Sequence, residues 1–325
     1  MTPFSAQAPS SVVMIRPHHF CSNPDTMADN AFQKRGVADG PTSQLAYDEV
    51  TRMAAQLEKA GVHVHLFDDE SQDRPDAVFP NNWFSTHTGG HIAVYPMATP
   101  SRQRERRWDV IEMLKQEYRV QDVIDYSGLT GDGIYLEGTG AMVLDHAERV
   151  AYVARSQRAD PIALERFCTH FNFEPMVFDA FDTQGKPVYH TNVLMCIGTQ
   201  VALAGMGMIT NLARRDEIRQ RLCASGRILI ELSASQIAEF AGNALELQGS
   251  HGRILAMSAR AARALTAAQR KQLESCVALL PIDIPTIELA GGSVRCMLAA
   301  VHLMPRHKAQ SMLTIKEGEK HAPTH

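Results

Sequence analysis

The sequence predicts an α/β fold in which five similar units close into a ring, giving a five-bladed, propeller-like domain. Four segments share an apolar run, a short polar or glycine turn and a second apolar run, which is typical of a β-hairpin. They begin at Asn82, Gly140, Asn192 and Asn243, at intervals of 51 to 58 residues, and a fifth apolar run contains Cys296. A unit of this size cannot bury its apolar face alone, so the five must pack on one another. The alternative is a chance similarity of strand–turn–strand segments.

The predicted elements follow the chain in a regular order. The apolar segment Ser11–Pro17 is expected to pair with the run after Cys296 and close the ring. Hairpins are predicted over Asn82–Met97, Gly140–Ala154, Asn192–Met206 and Asn243–Met257. Helical spacing of apolar residues predicts helices over Ser43–Ala60, Ser101–Tyr118, Ser233–Phe240 and Thr266–Leu280. The very apolar stretch Val193–Ile209 is too interrupted for a membrane span, so we interpret it as two buried strands.

The length of 325 residues permits one large domain or two. The repeat favours a single domain over residues 1–325, with polar ends at 1–10 and 316–325 that we expect to be flexible. Residues 1–10 lack the basic start and apolar run of a secretory signal.

Composition excludes several classes of function. A net charge of −4 and a pI of about 6.4 give no electrostatic footprint for nucleic acid. The basic run from Arg102 to Arg107, with Glu105 and Asp109 interleaved, is interpreted first as an exposed helix face and second as an anion site. The six cysteines form no C-x-x-C pair, so neither a zinc site nor a disulfide framework is indicated, and a reducing cytoplasm fits.

The repeat also predicts where the chemistry lies. In a ring, equivalent strand starts converge near the axis, which would gather Asn82, Glu137, His190, Asn192, Asn243 and Cys296. Cys296 follows two glycines that permit a tight turn, and a thiolate is a strong nucleophile. His190 suits acid–base work, and Glu137 is a candidate for orienting a ligand. Taken singly, the cysteine also fits a buried apolar position, and the carboxylate a turn.

These segments together resemble the guanidino-group-modifying enzymes, namely arginine deiminases, dimethylarginine dimethylaminohydrolases and amidinotransferases, and are most similar to the citrulline-utilization hydrolase branch. The similarity runs from VVMIRP at residue 12 to CMLAAVHL, which ends at residue 303. Its markers are FPNNWFSTH, GDGIYLEGTGAMVLD, HTN, FAGNALEL and GGSVRCM. The resemblance implies a five-bladed α/β propeller with Cys296 as nucleophile, His190 as general acid and base, and Glu137 as their orienting carboxylate. It implies no metal or organic cofactor.

Departures from the family pattern bear on the substrate. Arginine deiminases carry aspartates near Asn82 and at the position of Asn192, and amides suit a neutral ureido group better than a cation. The resemblance therefore favours hydrolysis of citrulline to ornithine, ammonia and carbon dioxide. Asp132 stays acidic, so a guanidino substrate is not excluded.

The remaining candidate residues concern the rest of the substrate. Arg158 matches an arginine that often binds the substrate carboxylate in the family, and Arg102 is a weaker candidate; the alternative for both is an exposed surface arginine. The sequence leaves open whether Asn81 or Asn82 faces the substrate, and whether Asn243 contacts it.

Four alternatives stay open. The same site would serve an arginine deiminase, a dimethylarginine dimethylaminohydrolase or an amidinotransferase. The fold would also serve a non-enzymatic amino-acid sensor or scaffold. The expected partner is a small ureido or guanidino amino acid, with neither nucleic acid nor membrane, and the oligomeric state is open.

Overall fold

The computed structural model describes residues 7–34 and 40–306, and this part of the chain forms five three-stranded sheets. The strands are β1 (Ser11–Pro17), β2 (His63–Asp69), β3 (Phe84–His87), β4 (His91–Val94), β5 (Asp122–Asp125), β6 (Met142–Asp145), β7 (Val150–Ala154), β8 (Glu174–Phe178), β9 (Met195–Ile197), β10 (Val201–Ala204), β11 (Ile228–Glu231), β12 (Leu245–Gly249), β13 (Gly252–Ser258), β14 (Ala278–Ile282) and β15 (Ala299–Ala300). The predicted α/β fold with five repeated units is confirmed.

Each sheet, or blade, has the same topology. An antiparallel pair is followed by a helical crossover to a third strand that runs parallel to the second, as in β3–β4–β5, β6–β7–β8, β9–β10–β11 and β12–β13–β14. The four predicted hairpins are the antiparallel pairs of these four blades. The third strand of each blade was not predicted.

The remaining blade joins the two ends of the described chain. Strand β15 pairs antiparallel with β1, with Val12 opposite Ala300 and Val13 opposite Ala299, and β1 pairs parallel with β2. The predicted pairing of Ser11–Pro17 with the last apolar run is therefore confirmed.

The helices are α1 (Gly40–Lys59), α2 (Pro100–Gln103), α3 (Trp108–Glu117), α4 (Gly138–Ala141), α5 (Pro161–Phe171), α6 (Thr191–Leu194), α7 (Leu212–Cys223), α8 (Ala234–Ala238), α9 (Ala259–Ala264) and α10 (Ala267–Glu274). Helices α1 and α8 match their predictions. The helix predicted over Ser101–Tyr118 is split into α2 and α3. The one predicted over Thr266–Leu280 ends at Glu274, because the following residues form β14.

The blades share apolar cores, as their small size requires. One cluster joins Tyr152 of β7, Leu203 of β10 and Leu255 of β13, all fully buried. No helix among the described residues is long and apolar enough to cross a membrane.

The predicted flexible ends lie mostly outside the described residues, since residues 1–6 and 316–325 are among those the structure does not describe. Residues 7–9, which the structure does describe, are buried, and the side chain of Gln7 donates to the carbonyl oxygens of Leu144 and Ile197. The expectation of flexibility is wrong for these three residues, because they are packed between blades.

Candidate active site

The candidate site lies where the chain enters the first strand of each blade. Asn82 ends a 3-10 turn just before β3, Glu137 precedes α4 and then β6, and His190 precedes α6 and then β9. Asn243 lies shortly before β12, and Cys296 lies in a turn before β15. Their equivalent positions in the repeat bring these five residues together at the centre.

Cys296 is buried, and two amide groups point at its sulfur. The Nδ2 atoms of Asn192 and Asn243 each lie 3.3 Å from Sγ. Asn243 is fixed in turn, since its Nδ2 also donates to the carbonyl oxygen of Asn192 at 2.9 Å and its Oδ1 accepts from the backbone N–H of Arg295 at 3.1 Å. Donors directed at sulfur stabilise negative charge on it, so this surrounding suits a thiolate.

His190 is buried and is bonded to Glu137, with Nε2 lying 2.8 Å from Oε2. Burial lowers the pKa of His190 to about 4, although the hydrogen bond and charge of Glu137 act in the opposite direction. The imidazole is therefore neutral at neutral pH, which is the form that can accept a proton.

Glu137 is fully buried and carries several bonds. Its Oε2 accepts from Arg102 at 2.7 Å and from Arg158 at 3.2 Å, besides its contact with His190, and its Oε1 accepts from the backbone N–H of Ala98 at 3.1 Å. Burial disfavours the charged form, but the two guanidinium groups and His190 outweigh it and hold the pKa of Glu137 well below its usual range. Glu137 is therefore a fixed anion bonded to Nε2 of the imidazole.

Cys296 and His190 open into one small cavity of about 260 Å³, including its mouth, whereas Glu137, Asn192 and Asn243 do not line it. Asn82, His190 and Cys296 line it together with Arg102 and Arg158.

The sequence matches the family model described as N,N dimethylarginine dimethylhydrolase, eukaryotic, over residues 16–303. The chain belongs to this family. The predicted resemblance to the guanidino-group-modifying enzymes is therefore confirmed. A comparison with curated protein sequences gave no match.

Solved structures of similar fold include ArgZ, an arginine dihydrolase from the ornithine–ammonia cycle in cyanobacteria, with a TM-score of 0.70 and 16% identity over 92% of this chain. The chain spans 41% of that ArgZ chain, but 97% of the ArgZ N-terminal domain, of which a cysteine-to-serine mutant was solved bound to substrate (TM-score 0.69, 16% identity, 90% of this chain). The dimethylarginine dimethylaminohydrolase of Pseudomonas aeruginosa, likewise a cysteine-to-serine mutant, in complex with citrulline, has a TM-score of 0.61 and 15% identity, over 90% of this chain and 99% of its own. At these identities the likeness shows the fold.

Not every predicted substrate residue of this dimethylarginine hydrolase family member lies at the cavity. Asn82 lines it, whereas Asn81 is fully buried elsewhere, with neither polar side-chain atom hydrogen-bonded. Asp132 is exposed at the end of a 3-10 helix and lines no part of the cavity. The structure therefore does not bring Asp132 to this cavity, because the turn at Gly133 keeps the chain at the surface before it re-enters at Glu137.

Arg102 and Arg158 are each 2% exposed, so the alternative of exposed surface arginines is wrong for both. Arg102 also donates to both carboxylate oxygens of Glu105, at 3.0 and 3.3 Å, and Arg158 donates to both of Asp29, with Nε at 2.7 Å. The interpretation of the Arg102–Arg107 run as one exposed helix face is likewise wrong, because the helix breaks after Gln103 and Arg102 turns inward with Glu105.

Three polar residues that line the cavity were not predicted, namely Asn30, Asp76 and Tyr189. Asp76 lines the cavity and is buried, accepts from Asn23 at 2.8 Å and lies 3.7 Å from Arg102. Burial raises the pKa of its carboxyl, against the effect of Arg102. Tyr189 also lines the cavity, and its hydroxyl donates to the carbonyl oxygen of Gly291 at 2.7 Å. Asp76 lies six residues before Asn82, and that short spacing is the one sequence signal that points to it.

Proposed function

We propose that the chain hydrolyses a neutral ureido amino acid, with citrulline as the best candidate, to ornithine, ammonia and carbon dioxide. The observation that carries the proposal is the set of amides around the thiol. Asn192 and Asn243 direct N–H groups at Cys296, and Asn82 lines the cavity that Cys296 also lines. Amides can donate to the oxygen of a urea and accept from its nitrogen without adding charge. A buried guanidinium would instead require paired carboxylates.

In this mechanism the thiolate of Cys296 attacks the ureido carbon. His190 accepts the thiol proton and delivers it to the departing amine, so the C–N bond to ornithine breaks while a C–S bond forms. The carbamoyl group stays on sulfur. His190 then deprotonates a water molecule, which attacks the same carbon and releases the thiolate. The resulting carbamate decomposes to ammonia and carbon dioxide, and one water is consumed in total.

The buried carboxylate of Glu137 supports both proton transfers. It lies 2.8 Å from the Nε2 atom of His190 and stabilises the imidazolium that forms when His190 accepts a proton. Arg102 and Arg158 hold this carboxylate charged, so it stays available as a counter-ion throughout the cycle.

The substrate carboxylate is assigned to Arg158, with Arg102 as the weaker candidate. Arg158 lines the cavity, and one of its partners, Asp29, has a side chain that is 34% exposed. An incoming carboxylate would displace Asp29 from Arg158 or bind Arg158 beside it, whereas the partner of Arg102, Glu105, is fully buried.

All six cysteines are unpaired, which fits a reducing cytoplasm.

Arginine is the second candidate substrate, because one carboxylate, Asp76, lines the cavity. A single carboxylate beside the head group would help to hold a guanidinium. An arginine dihydrolase, the activity named for ArgZ, would carry out an attack on arginine and then the citrulline step proposed above. Deiminase, methylarginine hydrolase and amidinotransferase activities use the same thiol and stay as alternatives.

The test is product identity. Purified protein is incubated separately with citrulline, arginine and N,N-dimethylarginine, and the products are identified by mass spectrometry. We expect ornithine and ammonia from citrulline, no turnover by Cys296→Ala, and normal turnover by the control Cys223→Ala, since Cys223 is exposed and remote from the cavity. Ornithine from both arginine and citrulline would indicate a dihydrolase. Turnover of arginine or its methylated form without turnover of citrulline would refute the neutral-substrate proposal.

A further inference from the structure

Four arginines among the described residues are buried, and three of them pair with carboxylates. Arg102 pairs with Glu105 and Glu137, Arg158 with Asp29 and Glu137, and Arg227 with Asp145 at 2.8 Å. The fourth, Arg295, is 7% exposed and has no carboxylate partner among the described residues.

Arg295 lines a second cavity, which shares no residue with the one that contains Cys296. This cavity is narrow and measures about 470 Å³ including its mouth. Its polar wall consists of Gln7, Ser85, Thr86, Thr139, His146 and His302, together with Arg295. The wall carries no acidic side chain.

Three buried polar atoms of this wall lack a hydrogen-bond partner. They are Nε of Arg295 and the Nδ1 atoms of His146 and His302, whose rings stack with their centroids 4.0 Å apart. Burial, together with the charge of Arg295, lowers the pKa of both histidines, to about 4 for His302. Both imidazoles are therefore neutral at neutral pH, and each can offer an N–H to a ligand.

A buried charge without a counter-ion is strongly destabilising, and unpaired buried polar atoms add to the penalty. A bound anion would remove both penalties together. We propose that this second cavity binds one small monovalent anion, of the size and charge of chloride or bicarbonate, on the guanidinium of Arg295 and beside the unbonded Nδ1 atoms of the two imidazoles. The guanidinium of Arg295 carries one positive charge, so an anion with one negative charge would neutralise it. Chloride would come from the medium, and bicarbonate would also arise from released carbon dioxide.

The direct test uses bromide as an anomalous scatterer in crystals of the full chain. We expect a bromide peak within about 3.5 Å of the Arg295 guanidinium, and its loss in crystals of Arg295→Met. Water alone at this position, or a protein carboxylate bound to Arg295, would overturn the proposal.

A solution test distinguishes the two anions and does not depend on activity. Thermal unfolding is followed while chloride, or separately bicarbonate, replaces gluconate at constant ionic strength. We expect a rise in Tm that increases with the logarithm of the anion concentration above the dissociation constant and reaches about 5 °C at about 100 times that constant. The anion whose response begins at the lower concentration is the preferred one. Arg295→Met should lose the response, and Arg295→Lys should keep it at weaker affinity.

Arg227→Met is the matched control, because Arg227 is an equally buried arginine that already has a carboxylate. It should lower the Tm but keep the anion response. Equal responses in wild type and Arg295→Met would refute the site.

Discussion

At the scale of single residues, the charge of Glu137 controls the state of the neighbouring imidazole. Two arginines hold it anionic, and it holds the nearest nitrogen of His190 at 2.8 Å. Because His190 is buried and would otherwise be difficult to protonate, an imidazolium formed during the reaction depends on this carboxylate.

We therefore expect Glu137→Gln to lower kcat by about 10²- to 10⁴-fold, in the range that general acid–base groups contribute, while KM changes little. The amide keeps the size of the side chain but removes its charge. Steady-state kinetics with citrulline would measure the effect. Glu105→Gln is the matched control, since Glu105 is equally buried and binds Arg102 but does not touch His190. Equal losses in both variants would show that the arginine cluster matters and the imidazole partner does not.

The pKa of His190 can be observed directly in the free protein. We expect its ring resonances to titrate with a pKa of about 4, and to titrate lower still in Glu137→Gln because the two favourable effects of the carboxylate are removed. Two-dimensional NMR of ring-labelled histidine would measure both values. A wild-type pKa near the ordinary 6.5, or a higher pKa in the variant, would contradict this description of the site.

The central positions of Cys296, His190 and Glu137 were predictable from sequence, because each one lies near the start of a repeated unit. The burial of Arg158 and the exposure of Asp132 were not. Arg158 is held by Asp29, 129 residues away, and no local pattern reports such a long-range pair. Asp132 and Glu137 are both carboxylates in the same glycine-containing segment, and the turn between them decides which one is buried.

At the scale of elements, the single helical turns before the first strands place the site residues. In α4, Gly140 packs against the neighbouring blades so closely that an added Cβ would lie 2.0 Å from Oδ1 of Asn82 and 2.8 Å from Nδ1 of His190. A side chain at this position must displace one of the two.

We expect Gly140→Ala to lower kcat/KM by at least about 100-fold, since displacements of about 1 Å in a catalytic group have effects of this order. Circular dichroism should still report a folded protein. Gly128→Ala is the control, because nothing lies within 4 Å of its added Cβ, and its activity should be unchanged. Wild-type activity in Gly140→Ala would show that the close packing does not position these groups.

Hairpins were predictable because their two apolar runs are buried. The third strands were missed because they are partly exposed, as in β5, where no residue is fully buried. Helix α7 was missed for a related reason, since only Ile218 and Leu222 of its twelve residues are buried. A helix with so few buried positions has little periodicity of apolar residues from which it could be predicted.

At the scale of the whole molecule, several histidines are buried where the blades meet. Burial lowers the pKa of His87 well below its ordinary value, and its ring lies 4.2 Å from that of Phe171, centroid to centroid. The unfolded chain binds a proton at this residue below about pH 6.5, whereas the folded chain does not. The unfolded state therefore gains protons first, and the stability of the folded state falls as the pH falls.

The contribution of His87 to this pH dependence of stability can be isolated with one variant. His87→Gln keeps a group able to bond Ser85, which lies 2.7 Å from Nε2 of the histidine, but cannot titrate. Relative to the variant, the free energy of unfolding of the wild type should fall by about 1 kcal/mol between pH 6 and pH 5, measured by urea unfolding at both pH values. Comparing the wild type with the variant at each pH removes the opposing effect of buried carboxyls with raised pKa values, such as Asp76, because both proteins contain them.

Ser85→Ala is the control. It should shift stability equally at both pH values, because it removes a hydrogen bond without removing a titrating group. A constant difference between wild type and His87→Gln would mean that His87 binds its proton equally well in the folded and unfolded states, and the buried ring would then not contribute to acid sensitivity.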